Sequence, residues 1–286
     1  MKRTLGLKID VDTYEGMKKG VPRLLDSLLE LAIKGTFYLS MGPDASGLAV
    51  LQLLKNPRFL SKMLRSNAPG LYGFKTALYG TLLPSPLIAL SFPKLVRRII
   101  AEGHEVQFHA WDHRRWQDGL PRRSEQWIRG WFDKGMTAFR GSTGKDASSF
   151  GAPAWLIDDR VLKVAGDYGF EYLSCTRAGR PFLHEGLLIP EIPSDLPCFE
   201  ELGVKAAGEK ILSILGDGGL HVLPVHAEVE GGIWNAHFMQ LIAEIKKASY
   251  KCSRLHEIND ALPGGQLEIR KYGMALLPGR SVPCAV

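Results

Sequence analysis

Four cysteines (Cys175, Cys198, Cys252 and Cys284) are scattered along 286 residues without a single CxxC pair. That spacing argues against a thiolate zinc site or a disulfide framework and fits a reducing compartment. Long apolar runs are also missing, and none approaches the ~18 residues a membrane span needs. The longest candidate, "LLPSPLIALSFP" at 82–93, is broken by three prolines. The N-terminus does not read as a signal peptide, because Lys8 and Asp10 interrupt its apolar stretch early. Repeats, low-complexity tracts and Pro/Gly/Ser-rich linkers are absent as well. One further absence is local: from Ala45 to Ala101 there is no Asp, Glu or His, while Lys55, Arg58, Lys62, Arg65, Lys75, Lys94, Arg97 and Arg98 fall there. The net charge of +6 therefore belongs to this stretch, and the rest of the chain is slightly acidic.

What is present is an alternation of apolar strands and amphipathic helices in a chain with 45% hydrophobic residues, enough for one large α/β domain or two small ones. Strands are predicted at 4–9, 36–40, 105–110, 148–153, 170–175, 186–192 and 221–226. Helices are predicted at 20–33, 46–54, 93–101, 123–140, 157–167, 205–214 and 234–248, with Gly35, Gly103 and Gly169 at helix ends. Repeated βα units imply a parallel sheet with right-handed crossovers, and this number of units suits a closed or incomplete (β/α) barrel better than an open sheet. The expected organisation is one catalytic domain over 1–263 and a tail over 264–286 without clear period.

In a parallel barrel the chemistry gathers at the C-terminal ends of the strands. Strand one ends in "DVD", placing Asp10 and Asp12 on one face. The strand at 105–110 runs into "HAWDH", giving His109 and His113 at i, i+4, one helical turn apart if the chain turns helical after His109. The strand at 221–226 ends in His226. Two histidines and one carboxylate form a facial triad that leaves coordination positions open for hydrolysis. The second aspartate can then stay off the metal as general base. Asp112, His104, His184, His221, His237 and His256 are read as solvent-facing or locally satisfied.

The order DxD, HxxxH, a proline-containing strand end and "LPVH" resembles the polysaccharide deacetylase superfamily, also called carbohydrate esterase family 4. The blocks "KIDVDTYEGMKKGVPRLL", "SMGPD", "FLSKMLRSNAPGLYG", "GHEVQFHAWDHRRWQ" and "VHAEVEGG" are similar to the branch that deformylates lipid-linked 4-formamido-arabinose for lipid A modification. The resemblance covers residues 4–260. It implies a distorted (β/α)7 barrel and a metal-dependent amide hydrolase, with Asp10 as base, Asp12, His109 and His113 as metal ligands, and His226 as general acid. Zn²⁺ fits that donor set best, with Co²⁺, Ni²⁺, Mn²⁺ and Fe²⁺ as alternatives. Pro153, Trp155, Glu228 and Glu230 are candidates for contacting substrate.

Two departures stand out. The superfamily's third motif usually has an Arg two residues before its Pro to orient the catalytic Asp, but "GAPAW" puts Gly151 there. The fourth motif usually supplies an Asp for the catalytic His, and "LSCTRAG" has none. Arg177 in that segment is the candidate for the missing cation beside Asp10.

The acid-free segment mixes its cations with Phe59, Leu60, Met63, Leu64, Leu71, Tyr72 and Phe74. That composition suits an anionic membrane surface, where each cation adds ~1 kcal/mol, better than nucleic acid. The expectation is a membrane-facing segment at 55–100, with Arg65 and Asn67 contacting the substrate phosphate, in a peripheral protein of the cytoplasmic face of the inner membrane or a cytoplasmic one. The competing readings are an N-deacetylase or cyclic amidase of the same superfamily, and a non-catalytic lipid- or glycan-binding barrel.

Overall fold

The strands of this chain alternate with period two although both of their faces are buried. β1 (Thr4–Val11), β2 (Thr36–Ser40) and β3 (Glu105–Ala110) read TLGLKIDV, TFYLS and EVQFHA. Leu5, Leu7, Ile9, Phe37, Leu39, Val106 and Phe108 join one cluster with apolar helix residues such as Leu24, Leu28, Phe132 and Phe139. Tyr38, Tyr172, Ile192 and Val222 form a separate cluster. Lys8, Asp10, Thr36, Gln107 and His109 share the phase of Tyr38 and are also buried. Apolar residues thus face an outer ring of helices and polar ones face inward. A sheet covered on both sides can carry such a polar lining only by curling around it.

The computed structural model describes residues 3–48, 78–263 and 265–286. The main sheet runs on through β4 (Ser149–Phe150), β5 (Tyr172–Leu173), β6 (Phe182–His184), β7 (Pro190–Glu191), β8 (Leu220–His226), β9 (Lys251–Ser253) and β10 (Ile269–Arg270). Its order is β10-β6-β7-β5-β4-β3-β2-β1-β8, with β9 also on β1. All its pairings are parallel except β6 with β7. Asp195 accepts from the Val222 amide at 2.7 Å, and the Leu196 amide donates to Val222 O, so the segment after β7 lies against β8 and the sheet curls into a distorted barrel.

Among the described residues the α-helices are α1 (Val21–Glu30), α2 (Pro93–Ala101), α3 (His113–Gly119), α4 (Glu125–Thr143), α5 (Asp159–Ala165), α6 (Phe199–Leu202), α7 (Val204–Gly216), α8 (Asn235–Lys247) and α9 (Leu255–Asp260). α4 starts at the Ser124 cap, which accepts from the Trp127 amide, and ends at left-handed Gly144. It presses on β3 through Gly135, where a Cβ would sit 2.3 Å from the Phe108 ring. Phe108 in turn meets Trp131, Phe132, Phe139 and Phe150.

Sequence and structure part company in two places. The strands expected at 148–153, 170–175 and 186–192 shrink to two-residue pairings, because the chain there bends around polar groups such as Glu191, which accepts from the Cys175 and Thr176 amides. The tail carries β10 and a hairpin of β11 (Met274–Ala275) and β12 (Cys284–Ala285). The helix expected at 46–54 and the proposed contacts Arg65 and Asn67 lie outside the described residues.

The floor of the barrel is a buried network. Glu105 accepts from Thr36 Oγ1 at 2.6 Å, Gln107 Nε2 at 2.6 Å, Tyr172 OH at 2.7 Å and the His256 amide at 3.1 Å. Burial alone would raise this carboxyl, but its bonds to His256, Thr36, Tyr172 and Gln107 outweigh it and lower it from 4.5 to about 2. A depressed folded value means stabilisation that is full above the unfolded value and lost as pH falls toward about 2. The shift corresponds to about 3 kcal/mol. Unfolding free energy measured in urea between pH 6 and pH 3 will fall steeply in the wild type, and Glu105→Gln will flatten that slope while lowering stability at pH 6.

Candidate active site

Register sets the site. In the parallel pairs, Asp10 lies opposite His226 on β8 and opposite Tyr38 on β2. β3 runs beside β2 and ends in His109 and Ala110, with a register shift at Leu39/Ser40. Asp10, His109 and His226 therefore meet at the C-terminal rim, and Asp12 continues the inward face of β1 just above them.

The two mid-chain histidines come together otherwise than the i, i+4 spacing suggests. His109 belongs to β3, and His113 is the first residue of α3, whose N-cap Asp112 accepts from the Arg115 amide at 2.9 Å. The strand-to-helix turn, rather than one helical turn, brings their ring centroids to 5.2 Å. Asp112 is locally satisfied, though buried. Asp12 Oδ1 lies 3.0 Å from His109 Nε2, and Oδ2 lies 3.3 Å from His113 Nε2. One ligand atom from each of the three falls within 4.8 Å of the others.

The donor set fits a divalent cation. His109 Nδ1 lies 2.7 Å from Gly151 O, which can only accept, so Nδ1 carries a proton and Nε2 is the ring nitrogen left to face Asp12. Nε2 and Asp12 Oδ1 are both buried and without a hydrogen-bond partner. Burial pushes His113 down to about 4 against the opposing pull of Asp12. Burial raises the Asp12 carboxyl, but facing His113 and His109 outweigh it and hold it far below the usual range. Acceptors converging in this way are stable chiefly around a cation.

Asp10 is buried, and its carboxylate is bonded through both oxygens to the ammonium of Lys8, which is fully buried. Lys8 also sits 4.8 Å from the Tyr38 ring centroid and 5.4 Å from that of Trp155. Composition alone missed this residue, although its signal was there: Lys8, Asp10 and Asp12 share one phase of β1.

Arg177 is placed elsewhere, which corrects the sequence-based expectation. Its guanidinium donates to Glu201 Oε1 at 2.7 Å, Ser194 O at 2.6 Å and Leu196 O at 2.8 Å, and lies 4.7 Å from the Trp155 ring centroid. Because β5 is so short, the chain after it turns toward the tail, and the Arg177 amide donates to Ala285 O. Arg280 of the tail covers the Trp155 ring at 5.0 Å and also reaches Glu201.

His226 meets the Trp155 ring edge-on at 6.1 Å. Trp155 is buried and, like Ala154, has a left-handed backbone, with φ of 51° and 55°. His226 Nδ1 lies 3.7 Å from Glu200 Oε1, a partner sequence reasoning missed because it comes from the four-residue α6. Burial draws His226 down, yet Glu200 and neighbouring Cys198 outweigh it and lift the imidazole well above its ordinary value. Glu228 and Glu230 are buried, not solvated. Glu230 accepts from the His226 amide at 2.7 Å, and burial pushes it up to about 7. Burial also raises Glu228 well above the carboxylate range, with Asp12 adding to the shift, and its Oε2 has no partner. Asp44, in "SMGPD", steadies the rim by accepting from the Tyr14 amide at 2.7 Å and the Ser46 amide at 2.9 Å.

A family model for polysaccharide deacetylase matches residues 2–173. The chain is 34% identical over 262 residues to a Shewanella sediminis protein named probable 4-deoxy-4-formamido-L-arabinose-phosphoundecaprenol deformylase ArnD, covering 90% of this chain and 86% of that one. A Wigglesworthia glossinidia brevipalpis protein of the same name is 28% identical, covering 93% and 96%. Among solved structures, a Mycobacterium smegmatis polysaccharide deacetylase superposes with a TM-score of 0.66 at 20% identity, covering 96% of both chains. Puue allantoinase gives 0.63 at 14% identity, covering 90% and 89%. At such identities the structural likeness is one of fold.

Proposed function

The chain belongs to the polysaccharide deacetylase family, and from that premise we propose that it is a metal-dependent hydrolase that removes the formyl group from a polyprenyl-phosphate-linked 4-formamido-arabinose. The substrate class follows the names of its relatives. The observation that carries the reading is the convergence of Asp12, His109 and His113 beside Asp10 and His226 on one rim.

In this reading Asp12, His109 and His113 hold a divalent ion, Zn²⁺ suiting the donors best. When bound, the ion polarises the formamide carbonyl and acidifies a water. Asp10 takes the proton of the attacking water. His226, lifted in pKa beside Glu200, carries a proton to give to the amine nitrogen as the C–N bond breaks. Glu228, buried with an unpartnered Oε2, is the carboxyl offered to the sugar. Trp155 forms the wall on the His226 side.

The same rim suits a lipid-embedded substrate. Tyr14, two residues beyond Asp12, packs against Tyr79 and Phe92 at 6.0 and 4.9 Å between centroids. The segment between these two carries exposed Leu82, Leu83 and Leu87. No helix among the described residues is long and apolar enough to cross a membrane, so the reading is reversible docking on an anionic surface.

The test is formate release from the lipid-linked formamido sugar in anionic vesicles. Turnover should vanish with EDTA and return with added divalent metal. Acetate release from an N-acetyl analogue in place of formate release would instead assign a deacetylase.

A further inference from the structure

We infer that Lys8 is the positioning residue of Asp10, fixing the carboxylate that serves as base in the function proposed above, on which this assignment rests. Lys8 is fully buried, and its ammonium contacts both carboxylate oxygens of Asp10. The ammonium also lies over the rings of Tyr38 and Trp155, which steady a cation without competing for its protons as a second carboxylate would. A carboxylate turns readily about its last torsion. One ammonium bridging both oxygens removes that freedom yet leaves each oxygen a lone pair, so Asp10 can still accept a proton.

Space around the pair is shaped for this lysine. A Cβ at position 151 would lie 2.7 Å from the Tyr38 ring and 3.2 Å from Lys8 Cε, so a side chain there would displace the lysine stem. Gly151 also accepts His109 through its carbonyl at 2.7 Å, so one backbone position bounds both the lysine stem and the imidazole. A buried ion pair is seldom a strong source of stability compared with well-packed apolar residues. Here the pair stands one strand from His226 and two residues before Asp12, where orientation of the carboxylate has a chemical use.

The test compares Lys8→Met, Lys8→Arg and Asp10→Asn, singly and combined, on the lipid-linked formamido sugar. Lys8→Met should lose about 10²-fold in kcat with KM and bound metal unchanged, the cost of a misplaced reacting group. Lys8→Arg, whose guanidinium also spans two oxygens, should stay within about tenfold of wild type. In the Asp10→Asn background Lys8→Met should cost no further rate, because residues acting as a unit are not additive. Should Lys8→Met not fold, Lys8→Gln carries the same comparison. Equal kcat for Lys8→Met and wild type, equal losses for Lys8→Met and Lys8→Arg, or a full multiplicative loss in the Asp10→Asn background overturns this assignment alone. An inactive wild type overturns the functional reading, and the role of Lys8 with it.

Discussion

An Asp12→Ala variant will purify without its divalent ion and keep no more than about 10⁻³ of wild-type turnover, since a catalytic metal supplies several kcal/mol of transition-state stabilisation. Two imidazoles remain in such a variant, but the carboxylate touching both is gone. Elemental analysis measures the first effect and formate release the second. Stability gives a further check with the opposite sign. Without a cation, Asp12 Oδ1 and His109 Nε2 lie 3.0 Å apart, both buried and without a hydrogen-bond partner. Asp12→Ala should therefore unfold at a temperature no lower than EDTA-treated wild type, while metal raises the melting temperature of the wild type alone. A variant that still binds one ion per chain would refute the ligand assignment.

The candidate metal trio was legible because each member lies in, or within three residues of, a strand whose apolar alternation is plain, and barrel topology converts strand ends into neighbours. Asp10, Asp12, His109 and His226 needed only that rule. His113 was found by its spacing from His109, although a strand-to-helix turn, and not a helix, brings the pair together. Polar partners that depend on short elements were not legible. Glu200 reaches His226 from a four-residue helix 26 positions away, a separation that no local pattern encodes. Arg177 was placed beside Asp10 on the assumption of a strand over 170–175, but pairing covers only Tyr172–Leu173, and the arginine joins Glu201 and the tail. Lys8 occupied the opposite situation. It was visible in period with Asp10 and Asp12, but a lysine in a strand reads as solvent-facing until the curl of the sheet buries it.

Asp10→Asn separates chemistry from metal binding. Asparagine keeps the shape of the side chain but cannot take a proton from water, so kcat should fall by about 10²–10⁴-fold, with metal content and KM unchanged. The substitution also leaves the Lys8 ammonium without its carboxylate inside the barrel, between the Tyr38 and Trp155 rings. Breaking a buried pair by removing one partner costs about 3–5 kcal/mol, so Asp10→Asn should unfold at markedly lower denaturant than wild type. Adding Lys8→Met removes the stranded charge and should recover most of that stability while recovering none of the rate. That divergence is the decisive feature: a stabilised double variant that also regained turnover would mean that Asp10 is a structural partner of Lys8, and that the proton leaves the water by another route.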